Sequence, residues 1–360
     1  WRSNLNVDIQ LPYDFMLSVG AMYTRDIYNV AQINMNEAEP TGVYNEQPDR
    51  IYWASKKYEY NDYTNGKNVV VKLSNGEYKG YQYSFNAILT KKYDFGFTGS
   101  IGYTYTMAKD LTANPGSAPN SAWQNNVAVN SLNDPGVYYS LFSTPHRIIA
   151  NASYEINYAK CLKTTFSLFY SGYHTGRYSY TYYNDMNGDG NYSDLIYVPN
   201  SQDEMTFVDI TDKSGAITYS AVDQAKDFWD FVNNDSYLKD RKGKYVERNG
   251  SLTPWINRFD FKIAQDFYAT LGGRKYGIQV SLDMLNVGNM INSKWGAYQS
   301  CGLKSYDNVQ LLKTASKVGE PLTYQINANS REAFKERSSW QYTNTIGSAW
   351  SMQLGVKVTF

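Results

Sequence analysis

The chain ends in SAWSMQLGVKVTF, a stretch that alternates strictly between apolar and polar residues. Its apolar positions are Trp350, Met352, Leu354, Val356, Val358 and Phe360. Successive side chains of a β-strand point to opposite faces, so a period of two predicts a strand with one apolar and one polar face. This pattern restricts the fold more than any other feature, because a helix cannot place apolar residues spaced by two on one face.

The same alternation recurs along the chain. It is present in residues 5–11, 15–23, 81–89, 95–107, 148–156, 162–170, 259–267 and 276–284. With the terminal stretch, it predicts about nine strands of roughly ten residues each. That is the length that a tilted strand needs to cross a bilayer.

The connections between these strands alternate in length. The short ones are Pro12 to Asp14, Lys91 to Asp94, Asn157 to Lys160 and Tyr268 to Lys275, and the long ones are roughly 33–76, 110–145, 183–253 and 288–346. Outer-membrane barrels have short periplasmic turns and long extracellular loops, whereas a sandwich has short connections at both ends. The pattern predicts an all-β fold, an antiparallel transmembrane β-barrel segment.

The order of the connections predicts which part of a barrel this is. The last strand follows a long extracellular loop, so it would run from the extracellular side to the periplasm. Because strand direction alternates, the first of the nine strands would run the same way. Complete single-chain bacterial barrels have an even number of strands, and an open edge in lipid leaves backbone groups unsatisfied. We therefore expect residues 1–360 to be a single C-terminal part of a larger barrel, without the earlier strands.

A set of charged residues falls on the polar face of the predicted strands. We expect it to face the lumen, and its members are Arg258, Asp260, Lys262, Asp283 and Lys357. The alternating charges of the first three could contact a passing substrate or a plug domain. Mutual ion pairing along a solvated wall is the favoured interpretation.

Composition excludes some functions and leaves others open. The 34 basic and 34 acidic residues cancel, whereas a nucleic-acid binder normally has a basic surplus. The 35 tyrosines suit the level of lipid headgroups, but equally a sugar-binding or adhesive β protein. Cys161 falls in a short turn and Cys301 in a long loop, so the barrel prediction excludes a disulfide between them.

Several stretches carry a family resemblance. They are TPWINRFDFKIAQDF (253–267), VSLDMLNVGNMINSKWG (280–296), YYNDMNGDGNYSDLIYVP (182–199) and the terminal Phe360. Together they resemble the C-terminal barrel half of TonB-dependent outer-membrane receptors, most closely the Oar-like subgroup. The resemblance implies about 22 strands around an N-terminal plug domain, which lies outside this chain. It also implies uptake of a ligand such as an oligosaccharide, a peptide or a metal chelate.

The resemblance further implies location and partners. The protein is expected in the cell outer membrane, in contact with its lipid, with the TonB inner-membrane energy-transducing complex and with the barrel assembly machinery. A surface lipoprotein is a further expected partner, and nucleic acid is not. Phe360 resembles the terminal aromatic residue that the assembly machinery reads, and it also suits the periplasmic aromatic girdle.

The stretch DMNGDGNYSD resembles a calcium-binding loop. Oxygen-bearing side chains alternate along it, and Gly190 falls where such a loop needs a sharp turn. The candidate ligands are Asp185, Asn187, Asp189, Asn191 and Asp194. The twelfth position is Ile196 instead of glutamate, and a turn rich in Asn, Asp and Gly is the alternative. No cofactor is required, and calcium in the 183–253 loop is the one ion predicted.

An enzymatic function is not expected. His146 and His174 fall near strand ends with the parity of outward-facing residues, and the chain has no GxSxG or HExxH motif. Two other functions stay open: a non-transporting adhesive or structural outer-membrane barrel that binds a surface partner, and a soluble carbohydrate-binding β domain. Tryptophans in the long connections could bind a ligand, form a girdle or pack loops together.

Overall fold

A computed structural model describes residues 1–60, 68–301, 304–305, 308–327, 340–343 and 345–360 of the chain. Its main element is a ten-stranded antiparallel sheet, in which nine long strands each pair with their neighbours in sequence and the two-residue strand Tyr138–Tyr139 pairs with one of them. The long strands are β1 (Arg2–Leu11), β2 (Phe15–Arg25), β3 (Tyr81–Lys92), β4 (Phe97–Asp110), β5 (His146–Tyr158), β6 (Leu162–His174), β7 (Trp255–Leu271), β8 (Arg274–Leu285) and β9 (Ser351–Thr359). The nine predicted strands are confirmed.

Short turns join the strands at one end of the sheet. A 3-10 turn at Pro12–Asp14 joins β1 to β2, and residues 93–96, 159–161 and 272–273 make the others. Gly272 and Gly273 both have positive φ, 59° and 77°. This is the backbone of a type I′ hairpin turn, whose twist matches that of the flanking strands.

The two faces of the sheet differ in polarity. On one face, apolar side chains of adjacent strands lie opposite each other, as Leu17, Leu89 and Ile101 do. Many of these side chains are exposed to solvent: 54% for Ile101 and 72% for Leu354. The nine-strand sheet therefore presents a broad apolar surface that is largely exposed to solvent.

The sheet is open in the described part of the chain. β1 pairs only with β2, and β9 pairs only with β8, so the two outermost strands do not meet. An all-β, mostly antiparallel fold is shown, whereas a closed barrel is not. No helix among the described residues has the length and apolar character to cross a membrane.

The described residues of the four long connections, within 26–80, 111–145, 175–254 and 286–350, pack together at the opposite end of the sheet, and we call this body the cap. It contains the helices α1 (Pro119–Gln124), α2 (Ala221–Asn234) and α3 (Val287–Ile291), with 3-10 turns at Gln202–Glu204 and Leu238–Asp240. Its strands are Val30–Asn34, Gly42–Val43, Ile51–Tyr52, Val71–Asn75, Tyr138–Tyr139, Arg177–Tyr182, Tyr197–Val198, Thr206–Phe207, Ile210–Thr211, Ile217–Tyr219, Lys244–Tyr245, Ser251–Leu252, Gln299–Cys301, Lys304–Ser305, Asn308–Thr314, Thr323–Ile326 and Trp340–Tyr342.

The cap has its own hydrophobic core, which the sequence did not predict. Every residue of Arg177–Tyr182 is buried, and this strand pairs in parallel with Asn308–Thr314. Tyr180 and Tyr182 are among its fully buried side chains. Among the described residues, six tyrosines are buried in this core: Tyr44, Tyr178, Tyr180, Tyr182, Tyr219 and Tyr324. The Tyr180 hydroxyl donates to Asp235 over 2.7 Å, as a buried hydroxyl requires.

Candidate functional site

The charged residues predicted to face a lumen share the polar face of the sheet. Lys262 on β7 lies opposite Asp283 on β8, with 2.8 Å between Nζ and Oδ1. Arg258 Nε lies 3.5 Å from Asp260 Oδ1. Arg258 and Asp260 thus pair as the favoured interpretation expected, whereas Lys262 pairs with Asp283 on the neighbouring strand. That these residues face a lumen stays a prediction.

Lys357, the fifth, lies two rows nearer the short turns on the same face, with Ser281 and Gly355 in the row between. It is opposite Gln279 on β8, whose amide donates to Asp266 over 2.8 Å. Lys163 lies 3.7 Å from Asp266 and 3.3 Å from Glu155. A second polar row therefore crosses β5 to β9 on this face.

Asp260 has a further contact that sequence reasoning missed. Its Oδ1 accepts the backbone N–H of Asn286 over 2.7 Å. Asn286 is fully buried with a φ of 53°, and its side chain donates to the carbonyl of Ser348 over 2.9 Å. The pair therefore fixes the point where β8 enters the cap. The LNVGN stretch is a signal for it, because asparagine tolerates this left-handed conformation better than most residues.

The other end of the sheet carries the predicted assembly residue. Phe360 follows the last residue of β9, and its side chain is 94% exposed. That position suits both a girdle residue and a terminal recognition signal, and recognition by an assembly machinery stays a prediction.

The predicted calcium loop forms a buried turn in the cap. The Asp185 carboxylate accepts the backbone N–H of Gly188 over 2.8 Å and that of Gly190 over 2.9 Å. Asn187 and Asp189 each accept the N–H two residues further on. Both glycines have a φ above 80°, which is why the turn needs glycine there.

This turn brings three carboxyl groups together away from water. Burial raises the pKa of Asp185, and it raises that of Asp189 well above the ordinary range, with Asp194 and Asp185 adding to the shift. Burial also raises the pKa of Asp194 to about 7, although the guanidinium of Arg50, 3.6 Å away, opposes this shift. Each of these carboxyl groups is therefore easier to protonate than a carboxyl group in water.

The side chains of the turn do not form a ready-made metal site. Among the described residues, no three His, Cys, Asp or Glu side chains are arranged to hold a metal ion. The backbone N–H groups already occupy oxygen atoms of Asp185, Asn187 and Asp189, and Asp194 accepts from Met186. The carboxylate and amide oxygens are of the kind that calcium prefers, whereas the backbone contacts are those of the alternative, a turn rich in Asn, Asp and Gly. Calcium binding therefore stays a prediction.

Beside this turn lies a polar cleft of about 720 Å³. Its amide side chains come from three of the long connections: Gln124, Asn125, Asn184, Asn191, Asn308 and Gln310. Tyr183, Tyr192, Ser193 and Gly190 complete it, and none of these described lining residues is charged. We call it the amide cleft. Its size lies within the range of ordinary ligand sites.

A second cavity of about 760 Å³ lies at the outer rim of the sheet, against β6 and β7. Tyr170, Trp255 and Phe259 line it together with Trp295. In contrast, Trp123 is buried, and Trp229 and Trp340 pack against the cap core. The structure thus separates two roles of the tryptophans: three hold loops together and two lie at the rim.

The histidines and cysteines lie where the strand pattern put them. His146 Nδ1 is 2.6 Å from the Tyr103 hydroxyl, and His174 Nδ1 is 2.5 Å from the Thr253 carbonyl. Both histidines are at the cap end of their strands. Cys161 is exposed in a short turn, Cys301 is buried in the cap, and no disulfide joins them.

Comparison of this chain with models of protein families, with curated proteins and with solved structures gives no match.

Proposed function

We propose that this chain forms part of the wall and the outer cap of a TonB-dependent receptor in the cell outer membrane. The receptor would take up a ligand captured by the cap and pass it along the polar face of the sheet. Energy would come from the TonB inner-membrane complex. The chain itself would make and break no covalent bonds.

The observation that carries this proposal is the exposed apolar face of the nine strands. Leu354, Val356 and Val358 are each more than 60% exposed on β9, and side chains such as Ile101 extend the face to β4. Contiguous apolar surface is unfavourable in water and marks a contact with a partner or a membrane. Lipid tails would cover it without any directional contacts.

The arrangement of the connections supports the same proposal. All four short turns lie at one end, and the cap lies at the other. This asymmetry is typical of outer-membrane barrels, which have short periplasmic turns and longer extracellular loops. The outer edges of β1 and β9 would pair with further strands, since lipid offers backbone groups no other partner.

The resemblance in residues 182–199, 253–267 and 280–296 makes the proposal specific to TonB-dependent receptors. Two of these stretches have structural roles here: 182–199 contains the buried turn, and 280–296 contains Asn286. An adhesive barrel without transport is the second candidate, and a folded cap would serve it equally well.

The test is electrophoresis of the native protein from detergent-extracted outer membranes, with and without boiling. We expect a band whose mobility changes on boiling, because folded membrane barrels resist detergent unfolding. Extraction without detergent would overturn the membrane assignment. Crosslinking to TonB then separates the candidates: a receptor forms a crosslinked product, and an adhesive barrel does not.

A further inference from the structure

We propose that the amide cleft binds a neutral, hydroxyl-rich ligand of the oligosaccharide class. This inference rests on the proposed function, because it names the ligand that the receptor's cap would capture. It depends on four properties of the cleft: its chemistry, its exposed rings, its fixed side chains and the pairing of its strands.

The chemistry of the lining matches hydroxyl groups. A primary amide such as that of Asn184 or Asn191 both donates and accepts hydrogen bonds, and so does a sugar hydroxyl. Anionic chelates are normally held by Arg or Lys, and neither occurs among the described lining residues. The cleft therefore favours a neutral ligand over a charged one.

Two tyrosine rings give the cleft an apolar component. Tyr183 is 46% exposed and Tyr192 is 67% exposed, although most tyrosines of the cap core are buried. Both line the cleft beside the amides. Aromatic faces pack against apolar surfaces while leaving polar edges to hydrogen-bond, which suits the C–H face and the hydroxyl rim of a sugar ring.

The amides are held in place by the cap. Asn184 donates to the Thr314 hydroxyl over 2.8 Å and accepts the Thr314 N–H over 3.0 Å. Asn191 donates to Asp189 over 3.2 Å, and Asn125 donates to the Pro115 carbonyl over 2.9 Å. These contacts use part of each amide's hydrogen-bonding capacity. Side chains that are fixed in this way lose less entropy when a ligand binds.

An extended peptide fits the cleft less well. Peptides commonly bind by adding a strand to a free sheet edge. The strand Asn308–Thr314 at the cleft pairs with Arg177–Tyr182 on one side. Its other side pairs with Lys304–Ser305 at the start of the strand and with Thr323–Ile326 at the end. Within the described part of the chain both sides of this strand are thus paired, so the side chains of Asn308 and Gln310 are the groups that meet the ligand.

The experiment measures binding of the purified full chain in detergent to immobilised ligands. The probes are neutral oligosaccharides of glucose, mannose, galactose and xylose, oligogalacturonate as an acidic sugar, and a pool of neutral peptides. We expect at least one neutral oligosaccharide to bind. Tyr192→Ala should weaken that binding roughly tenfold, equivalent to about 1.4 kcal/mol. Tyr60→Ala is the matched control, because Tyr60 is an exposed cap tyrosine, 82% accessible, that does not line the cleft.

The outcomes are distinct. Binding of oligogalacturonate or peptides alone, or binding that Tyr192→Ala leaves unchanged, overturns the proposal. Absence of any binding by a chain whose mobility still changes on boiling overturns it too, while the membrane assignment stands. If the electrophoretic mobility does not change on boiling and an oligosaccharide binds, the ligand proposal for the cleft stands and the membrane-barrel proposal is wrong. A Tyr192→Phe variant that keeps binding confirms that the ring is the contact.

Discussion

At the scale of single residues, Arg50 is a buried charged residue that contacts several parts of the cap. Its side chain is completely buried, and it contacts the carbonyls of Val129 and Leu195. Its guanidinium lies 4.8 Å from the centre of the Tyr245 ring, besides its ion pair with Asp194. One side chain therefore connects parts of three long connections.

Replacing Arg50 should destabilise the cap strongly. Arg50→Met leaves Asp194 buried without its counter-ion, which typically costs about 3–5 kcal/mol. Urea unfolding followed by tryptophan fluorescence measures the change, because Trp229 and Trp340 pack against the cap core. The control Lys56→Met breaks an exposed ion pair with Glu59 and should cost less than about 1 kcal/mol.

A double-mutant cycle tests the cause. Arg50→Met combined with Asp194→Asn should cost less than the sum of the two single changes, because the neutral amide no longer needs a counter-ion. Strict additivity would show that Arg50 acts through its packing and carbonyl contacts alone.

The buried turn at 185–194 makes the calcium prediction measurable. Calcium at about 10 mM should raise the melting temperature of the cap, since that concentration exceeds the dissociation constants of typical extracellular sites, about 0.1 to 1 mM. Asp189→Asn should remove the rise, while Asp240→Asn, a change at an exposed aspartate, should preserve it. A wild-type melting temperature that does not respond to calcium or to EDTA would leave this segment as a turn closed by its own backbone contacts.

At the scale of elements, the turns of the sheet depend on glycine to different degrees. Gly96 has a φ of 95°, and a Cβ there would clash with the Glu155 carbonyl oxygen on β5. Gly273 has a φ of 77° but nothing within 4 Å of its Cβ position. Substitutions at these two glycines can therefore separate the effect of backbone strain from the effect of a steric clash.

Alanine at these positions should give a graded series. Gly273→Ala should lower the free energy of unfolding by about 1–2 kcal/mol, the cost of a left-handed alanine. Gly96→Ala should cost clearly more, because it adds the clash with β5. Gly176→Ala, with no positive φ and no neighbour within 4 Å, should change little. If urea unfolding shows equal losses of unfolding free energy for Gly96→Ala and Gly273→Ala, the role of the carbonyl contact is contradicted.

At the scale of the whole molecule, the proposed membrane position predicts that the two faces of one strand respond oppositely to charge. Ile101→Arg places a charge on the apolar face of β4 and should cost about 2–4 kcal/mol of folding in lipid vesicles. Ser100→Arg, one residue away on the polar face, should be tolerated. Urea titration of folding into vesicles compares the two variants. Equal sensitivity would argue against lipid as the solvent of the apolar face.

The sheet could be predicted from the sequence and the cap could not. Long strands such as β9 repeat their alternation for nine residues or more, so the signal outweighs local exceptions. Cap strands such as Thr206–Phe207 are two residues long and pair in parallel with distant segments. Their pairing is set by tertiary contacts, which no local pattern records.

The candidate site likewise has one part that the sequence predicted and one part that it did not. The residues of the buried turn were visible because Asx and glycine positions alternate within ten residues. The amide cleft was not, because Asn125, Asn191 and Gln310 come from three separate connections. Likewise, nothing near Gln47 in the sequence indicates that its amide donates to both Tyr182 and Tyr324, over 2.9 Å each.

The shared core of the cap limits how such a surface can diversify. Loops that are independent hairpins can be lengthened, exchanged or recombined one at a time. Here Gln47, Tyr182 and Tyr324 join the first, third and fourth connections through one amide, so an altered loop must still fit two others. Sequence variation should therefore concentrate on outward side chains such as Tyr60, or replace the entire cap in one exchange.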